Sequence, residues 1–292
     1  MALLSKRLLT AIVGLPAVIA LVHAGGGVFL AAVIFLAAAS LWELNKMAAR
    51  KNIGIYFLTG AAPVFILCAA ACFPGRRPLA GFIAALAVLS VLSEGVCRHK
   101  EDNSLQKSLF TLFAFCYIGI FSSQFILLRN LWPETALDTF FGRMPAGEAA
   151  FWLTAAGVWA SDTCAYFVGT AFGRAKLCPA ISPNKSWEGA CGGFLGCVAA
   201  VCFLGGRVLG LEGFTVPAPG FLEFAGGKIN LPLIGVLIGV FAPLGDLVES
   251  WLKRFFGVKD SGALFPGHGG ALDRIDSLLF AAPVVCAYLS LL

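Results

Sequence analysis

"KDSGALFPGHGGALDRIDS", residues 259–277, runs directly into "LLFAAPVVCAYLSLL", residues 278–292. The first stretch gathers Lys259, Asp260, His268, Asp273, Arg274 and Asp276 among glycines and a proline, in a chain where charged residues are only 13%. The second is apolar almost throughout. A segment of that kind reads as a helix in hydrocarbon, where every backbone group must be satisfied within the segment itself. The junction therefore decides the class of fold: a polar, ion-rich loop abutting a membrane span.

Hydrophobic residues make up 59% of the 292, well above the share usual in a soluble domain. About 20 apolar helical residues cross ~30 Å of hydrocarbon. Working outward from the C-terminal run, nine such segments are predicted, near 8–23, 27–44, 53–73, 78–97, 107–128, 149–172, 189–205, 231–250 and 275–292. The expected fold is all-α, a polytopic integral membrane protein of about nine transmembrane helices. "SKRLLTAIVGLPAVIALVHAGGG", residues 5–27, has the form of a signal peptide. With eight spans behind it, it is read as a retained first helix.

Charge placement orients the spans, because cytoplasmic loops collect Lys and Arg. In the nine-span arrangement, one side receives Lys6, Arg7, Lys46, Arg50, Lys51, Arg98, Lys100, Lys107, Arg174, Lys176, Lys185, Lys253, Arg254, Lys259 and Arg274, which is 15 of the 21 basic residues. Arg76, Arg77, Arg129, Arg143, Arg207 and Lys228 take the other. The N-terminus is thus expected in the cytoplasm, the C-terminus outside, and the polar stretch 259–277 on the cytoplasmic face. The compact length, without a long polar extension, suits a bacterial inner (plasma) membrane. The net charge of +5 is then a mark of topology. No basic stripe interleaved with aromatics occurs, so nucleic acid is not an expected partner. The ten cysteines form no CxxC pair, and neither disulfides nor a cysteine metal site is expected.

Three blocks follow along the chain. Residues 1–128 hold five spans with short connections, and 129–148, "RNLWPETALDTFFGRMPAGE", form an external loop. Residues 149–292 form a C-terminal catalytic transmembrane domain of four spans, with a Gly- and Pro-rich external loop at 206–230.

In this last block ionisable residues enter the spans, where each is expensive and hence a candidate functional group. Asp246, Glu249, Ser250, Lys253 and Arg254 follow at helical spacing, which sets them on one face. The same spacing also allows an internally neutralised helix, with Asp246 bonded to Ser250 and Glu249 to Lys253. Asp162 and Tyr166 lie one turn apart in another span, where an Asp could equally hold two helices together. The loop "GRAKLCPAISPNKSWEG", residues 173–189, brings Lys185 and Ser186. Basic loop residues attract lipid headgroups, and Ser186 with Glu188 could cap the next helix. Asp273 and Asp276 are three apart, hence on one helical face. Mg²⁺ prefers oxygen ligands and commonly links carboxylates to substrate phosphates. Acids from two helices, basic loops and a glycine turn on one membrane face are what phosphoryl chemistry needs, since positioning and charge neutralisation supply most of its catalysis. His268 is read as an orienting or general-base residue.

Residues 250–276, "SWLKRFFGVKDSGALFPGHGGALDRID", resemble the signature region of the phosphatidate cytidylyltransferases (CDP-diacylglycerol synthases). The matching positions are Ser250, Lys253, Arg254, Lys259, Asp260, Pro266, His268, Gly269, Gly270, Asp273, Arg274 and Asp276. Residues 161–189 are similar to a second block of that family, with Asp162, Tyr166, Lys185 and Glu188 in place. Two departures occur there: Cys164 where the family usually has Gly, and Ser186 where it usually has Thr. The resemblance is carried by 150–292; the first half shares only its run of spans. It implies a reaction of CTP with phosphatidate giving CDP-diacylglycerol and pyrophosphate, a requirement for Mg²⁺, and a membrane homodimer. It implies metal ligation by Asp246, Asp273 and Asp276. Lys253 and Arg254 join Asp246 and Asp273 in catalysis. Substrate contacts are assigned to Lys185, Ser186, Ser250, Lys259, Asp260, His268, Gly269, Gly270, Arg274, Asp162 and Tyr166. Two rival readings are a CTP-dependent lipid or polyprenol kinase, which would release CDP, and a cation-coupled transporter. No inverted repeat with paired broken helices supports the transporter.

Overall fold

The computed structural model describes residues 2–73, 77–211, 228–265 and 269–292. Pro266 and His268 of the signature stretch, and much of the loop expected at 206–230, lie outside the described residues. The helices are α1 Ala2–Ala24, α2 Gly26–Ala49, α3 Phe57–Ala71, α4 Arg77–Cys97, α5 Ser104–Ala114, α6 Phe121–Arg129, α7 Ala146–Phe172, α8 Trp187–Phe203, α9 Leu231–Phe255 and α10 Leu272–Leu291. A π-helical segment, Phe115–Ile120, joins α5 to α6, and another, Leu204–Val208, extends α8.

Among the described residues, six helical stretches are long and apolar enough to cross a membrane: Gly26–Ala49, Leu79–Cys97, Ser104–Arg129, Trp187–Val208, Leu231–Phe255 and Leu272–Leu291. Ile12–Ala24 and Phe57–Ala71 are apolar but shorter. Large side chains such as Phe35, Trp42, Leu58, Phe82, Val96 and Leu195 point outward from these helices. Apolar faces of that extent belong against lipid tails rather than water. The chain is an integral membrane protein.

Two compact units form. The first is Met1–Leu127 with Leu252–Ile275, and the second is Leu128–Trp251 with Asp276–Leu292. In the first, Gly25 and Gly26 adopt left-handed backbone (φ 60° and 47°), which breaks α1 from α2 at the "AGGG" run. On α2, Val33, Ala37, Leu41, Leu44 and Ala48 are buried at helical spacing and form its inward stripe. Small residues let helices close up: a carbon added at Gly60 would meet Thr111 at 2.9 Å. Polar groups near this contact pair with one another. The Tyr56 backbone N–H donates to Thr111 Oγ1 (3.0 Å), and Ser104 Oγ donates to the Gly95 carbonyl (2.8 Å).

In the second unit, two antiparallel hairpins flank α7. They pair β1 (Ala136–Thr139) with β2 (Gly142–Pro145), and β3 (Lys176–Cys178) with β4 (Ser182–Ser186). The segments expected to be plain loops at 129–148 and 173–189 thus contain short strands. Their turn-rich composition, with Pro179 and Pro183, disguised three- to five-residue strands. Helices α7 and α8 pack along a glycine seam. An added carbon at Gly189 would stand 2.9 Å from the Ala165 carbonyl oxygen, at Gly193 2.7 Å from that of Ser161, and at Gly196 2.6 Å from Cys164 Cβ. The bonds that begin α8 and α9 are also supplied: Ser186 Oγ accepts from Gly189 N–H (3.1 Å) and Asn230 Oδ1 from Leu233 N–H (3.0 Å). Among the described residues the ten cysteines form no disulfide.

Candidate active site

In the second unit, α9 carries Asp246 and Glu249 toward Asp276 in the first turns of α10. One oxygen from each of these three acids lies within 4.8 Å of the other two. Glycine makes this approach possible: at Gly245 a side-chain carbon would collide with the Asp276 carbonyl oxygen and crowd Ser277 Cα at 3.1 Å. Glu249 is fully buried, whereas Asp246 is a third exposed. Asp246 is held at both oxygens. Ser250 Oγ donates to Oδ1 (3.2 Å), and Lys185 Nζ, from β4, pairs with Oδ2 (2.7 Å). Asp276 Oδ1 accepts from the Ser277 N–H (2.7 Å). Asp162 of α7 is close enough to interact electrostatically with both Asp246 and Lys185.

Three carboxylates gathered in an apolar surround repel one another and favour a cation among them. Their oxygens are hard donors of the kind Mg²⁺ takes, so the residues present fit that ion. The expected pairing of Asp246 with Ser250 is found. Glu249 stands with the two aspartates, and Lys253 bonds to Asp273.

Asp273 belongs to a polar set in the first unit. Its Oδ1 pairs with Lys253 Nζ at 2.7 Å, both side chains being about nine-tenths buried (8% and 12% exposed). Oδ2 accepts from the Gly270 N–H (2.8 Å), the Ser261 N–H (3.1 Å) and Ser261 Oγ (3.0 Å). Gly269 has a left-handed backbone (φ 86°), and an added carbon there would meet Asp273 Oδ2 at 2.6 Å.

Arg254 is exposed and donates to the Val258 carbonyl (3.2 Å), and Lys259, Asp260 and Arg274 are exposed. Tyr166 presents its ring outward, edge-on to Phe167 at 5.7 Å. Ser186 is buried as the cap of α8, and Glu188 accepts from the Ala175 N–H (3.1 Å). The capping alternative read from the sequence describes Ser186, whereas Glu188 holds the backbone ahead of β3.

Glu43 went unnoticed in the sequence. It is 5% exposed on α2, accepts from the Ala271 N–H (2.9 Å) and the Leu272 N–H (3.0 Å), and shares the Ser261 hydroxyl (3.0 Å) with Asp273. An ionisable residue near the end of an apolar span was the available signal. Lys46, one turn on, disguised it as an interfacial ion pair.

Comparison with known proteins extends the similarity over the whole chain. The model of the cytidylyltransferase family matches residues 5–292. The phosphatidate cytidylyltransferase of Bacillus subtilis is 34% identical over 298 aligned residues, covering 99% of this chain and 98% of the relative. That of Synechocystis is 32% identical over 309, covering 99% and 97%. The phosphatidate cytidylyltransferase of Brucella suis is 43% identical over 150 residues, and in that match the chain spans about half the relative's length (50%).

Proposed function

The chain belongs to the cytidylyltransferase family, and from that premise we propose that it transfers the cytidylyl group of CTP to phosphatidate, giving CDP-diacylglycerol and pyrophosphate. The observation that carries the reading is the Asp246–Glu249–Asp276 group with Lys185 on Asp246. A phosphate oxygen of phosphatidate attacks the α-phosphorus of CTP, the α–β phosphoanhydride bond breaks, and pyrophosphate departs with that electron pair. A lipid phosphate is already ionised at neutral pH, so no strong general base is required. Asp246, Glu249 and Asp276 would hold Mg²⁺, which supplies charge neutralisation to the departing pyrophosphate when bound. Lys185 orients Asp246 and sets an ammonium beside the acids. Lys253, Arg254, Lys259 and Arg274 are the further cations available to the two anionic substrates, and Asp273 directs Lys253.

The proposal includes nine spans, a cytoplasmic N-terminus, an external C-terminus, a bacterial inner membrane and reaction on the cytoplasmic side. The orientation rests on the 15-to-6 distribution of basic residues, and the bacterial membrane on relatives such as that of Bacillus subtilis. Cysteines placed at 185 and at the exposed position 259, in a Cys-free background, then label from the cytoplasm. Labelling of the two from opposite sides would overturn the arrangement. Assembly as a homodimer rests on the resemblance and is measured by light scattering in detergent.

The deciding experiment incubates purified protein with labelled CTP and phosphatidate and identifies both products. CDP-diacylglycerol with pyrophosphate is expected. CDP with a phosphorylated lipid would instead assign the chain to the lipid kinases.

A further inference from the structure

We infer that Glu43 is a positioning residue for cytidylyl transfer, acting through Ser261 and Asp273 on Lys253. The inference deepens the reading given under Proposed function and rests on it. Glu43 comes from α2, more than two hundred residues before the loop it holds. Both its oxygens take backbone N–H groups at the start of α10: Oε1 that of Ala271 and Oε2 that of Leu272. These are donors that a helix start leaves unsatisfied, and a carboxylate there also suits the helix dipole.

The second link is the Ser261 hydroxyl, 3.0 Å from Glu43 Oε2 and 3.0 Å from Asp273 Oδ2. A hydroxyl has one hydrogen and donates to one carboxylate at a time. Each acid keeps two backbone N–H donors of its own, Ala271 and Leu272 for Glu43, Ser261 and Gly270 for Asp273. Neither therefore depends on the hydroxyl alone. Asp273 in turn fixes Lys253 Nζ at 2.7 Å. The glycines of the loop are shaped around this carboxylate: a carbon added at Gly262 or Gly270 would run into Glu43 oxygens. Removing the Glu43 charge releases Ser261 and the backbone at Ala271 and Leu272, and with them the direction of the Lys253 ammonium toward a substrate anion. That contact is made equally in ground and transition states, so its loss falls on KM more than on kcat.

The test uses the full chain in detergent micelles, with Glu43→Gln and Gly262→Ala as variants and Ala263→Ser as control. Gly262→Ala leaves the Glu43 charge in place but displaces its carboxylate, so it serves even where Glu43→Gln folds poorly. Backbone hydrogen exchange over 259–273 is expected to rise in both variants, with α7 and α8 unchanged. The KM for CTP should rise roughly tenfold, the scale of one lost hydrogen bond to a charged group, with kcat changing less. The control should match wild type. Unchanged exchange over 259–273 overturns the inference, and so does raised exchange with unaltered KM. Absence of cytidylyl transfer by the wild type overturns the reaction itself, and is told apart because exchange at 259–273 still responds to Glu43→Gln.

Discussion

The backbone of Gly245 rests against the carbonyl of Asp276 so closely that no side-chain carbon fits between them. This contact brings the start of α10 near enough to α9 for Asp276 to meet Asp246 and Glu249. The obstacle is backbone, which cannot swing aside as a side chain can. Gly245→Ala should therefore part the two helices locally and spread the three carboxylates. Its expected signature is a raised Mg²⁺ concentration for half-maximal turnover, with activity down roughly a hundredfold at fixed Mg²⁺, as for misplacement by about 1 Å. Pyrophosphate release against a Mg²⁺ titration checks it. Normal Mg²⁺ dependence would show that the contact does not set the acids' spacing.

The acids themselves should separate into two classes. Asp246→Asn, Asp276→Asn and Glu249→Gln each remove one charge from a group of three, which relieves repulsion while weakening cation binding. Thermal stability should hold while turnover falls by orders of magnitude, and Asp246→Asn with Asp276→Asn together should be scarcely worse than either, as for residues acting as a unit. Asp273→Asn differs because it breaks the buried ion pair with Lys253, a loss of about 3 kcal/mol. Melting followed in detergent should show a clear drop for Asp273→Asn alone. Equal melting temperatures across the series would place all four acids in one class.

Much of this was legible in the sequence because ionisable residues inside apolar spans have few purposes. Asp246 was marked by that logic, Asp276 by the polar stretch before the last span, Lys185 by its basic loop, and the capping by Ser186 by its place before an apolar helix. Glu43 was not, since its partners are backbone N–H groups more than two hundred residues away, which no spacing reveals. Helical periodicity likewise set Glu249 one turn from Lys253, but it gave no sign that Lys253 also meets Asp273 in the next helix. Short-range rules give faces; they do not give partners across a fold.

Lys51 shows the same limit. On the sequence it is a remote surface lysine, but its ammonium lies 3.8 Å from the centre of the Phe255 ring. Lys51→Ala thus removes a cation–π contact at the end of α9, worth about 0.5–1 kcal/mol at an exposed site. Lys100, exposed in the turn after α4, is the better comparison for a general surface charge. Lys185→Ala should lower turnover at least tenfold, because a positioned charge-assisted contact on Asp246 is lost. Lys100→Ala should change it less than twofold, the effect of a single surface charge on lipid attraction. Initial rates in mixed micelles of fixed phosphatidate content decide it, and equal small effects would return Lys185 to the role of a lipid-attracting surface residue.

Cys164 stands where the resembling family usually has glycine, and its place in the seam of α7 and α8 explains what that position requires. A carbon added at Gly196 would lie 2.6 Å from Cys164 Cβ and closer still to its sulfur. One small side chain fits between the helices at this level, and either helix can supply it. Gly196→Ala should overpack the seam and cost about 1–3 kcal/mol. Cys164→Gly should remove the filling atoms and loosen the same crossing by a smaller amount, about 1 kcal/mol, adding a glycine's cost in a helix. The two changes made together move the side chain from α7 to α8, so they should cost less than Gly196→Ala alone. Such a gain is a coupling between contacting residues, which distant sites do not show. Melting temperatures of the three variants in one detergent give the coupling directly. Simple additivity would mean that the seam yields at this level and that Cys164 is held there by no packing demand.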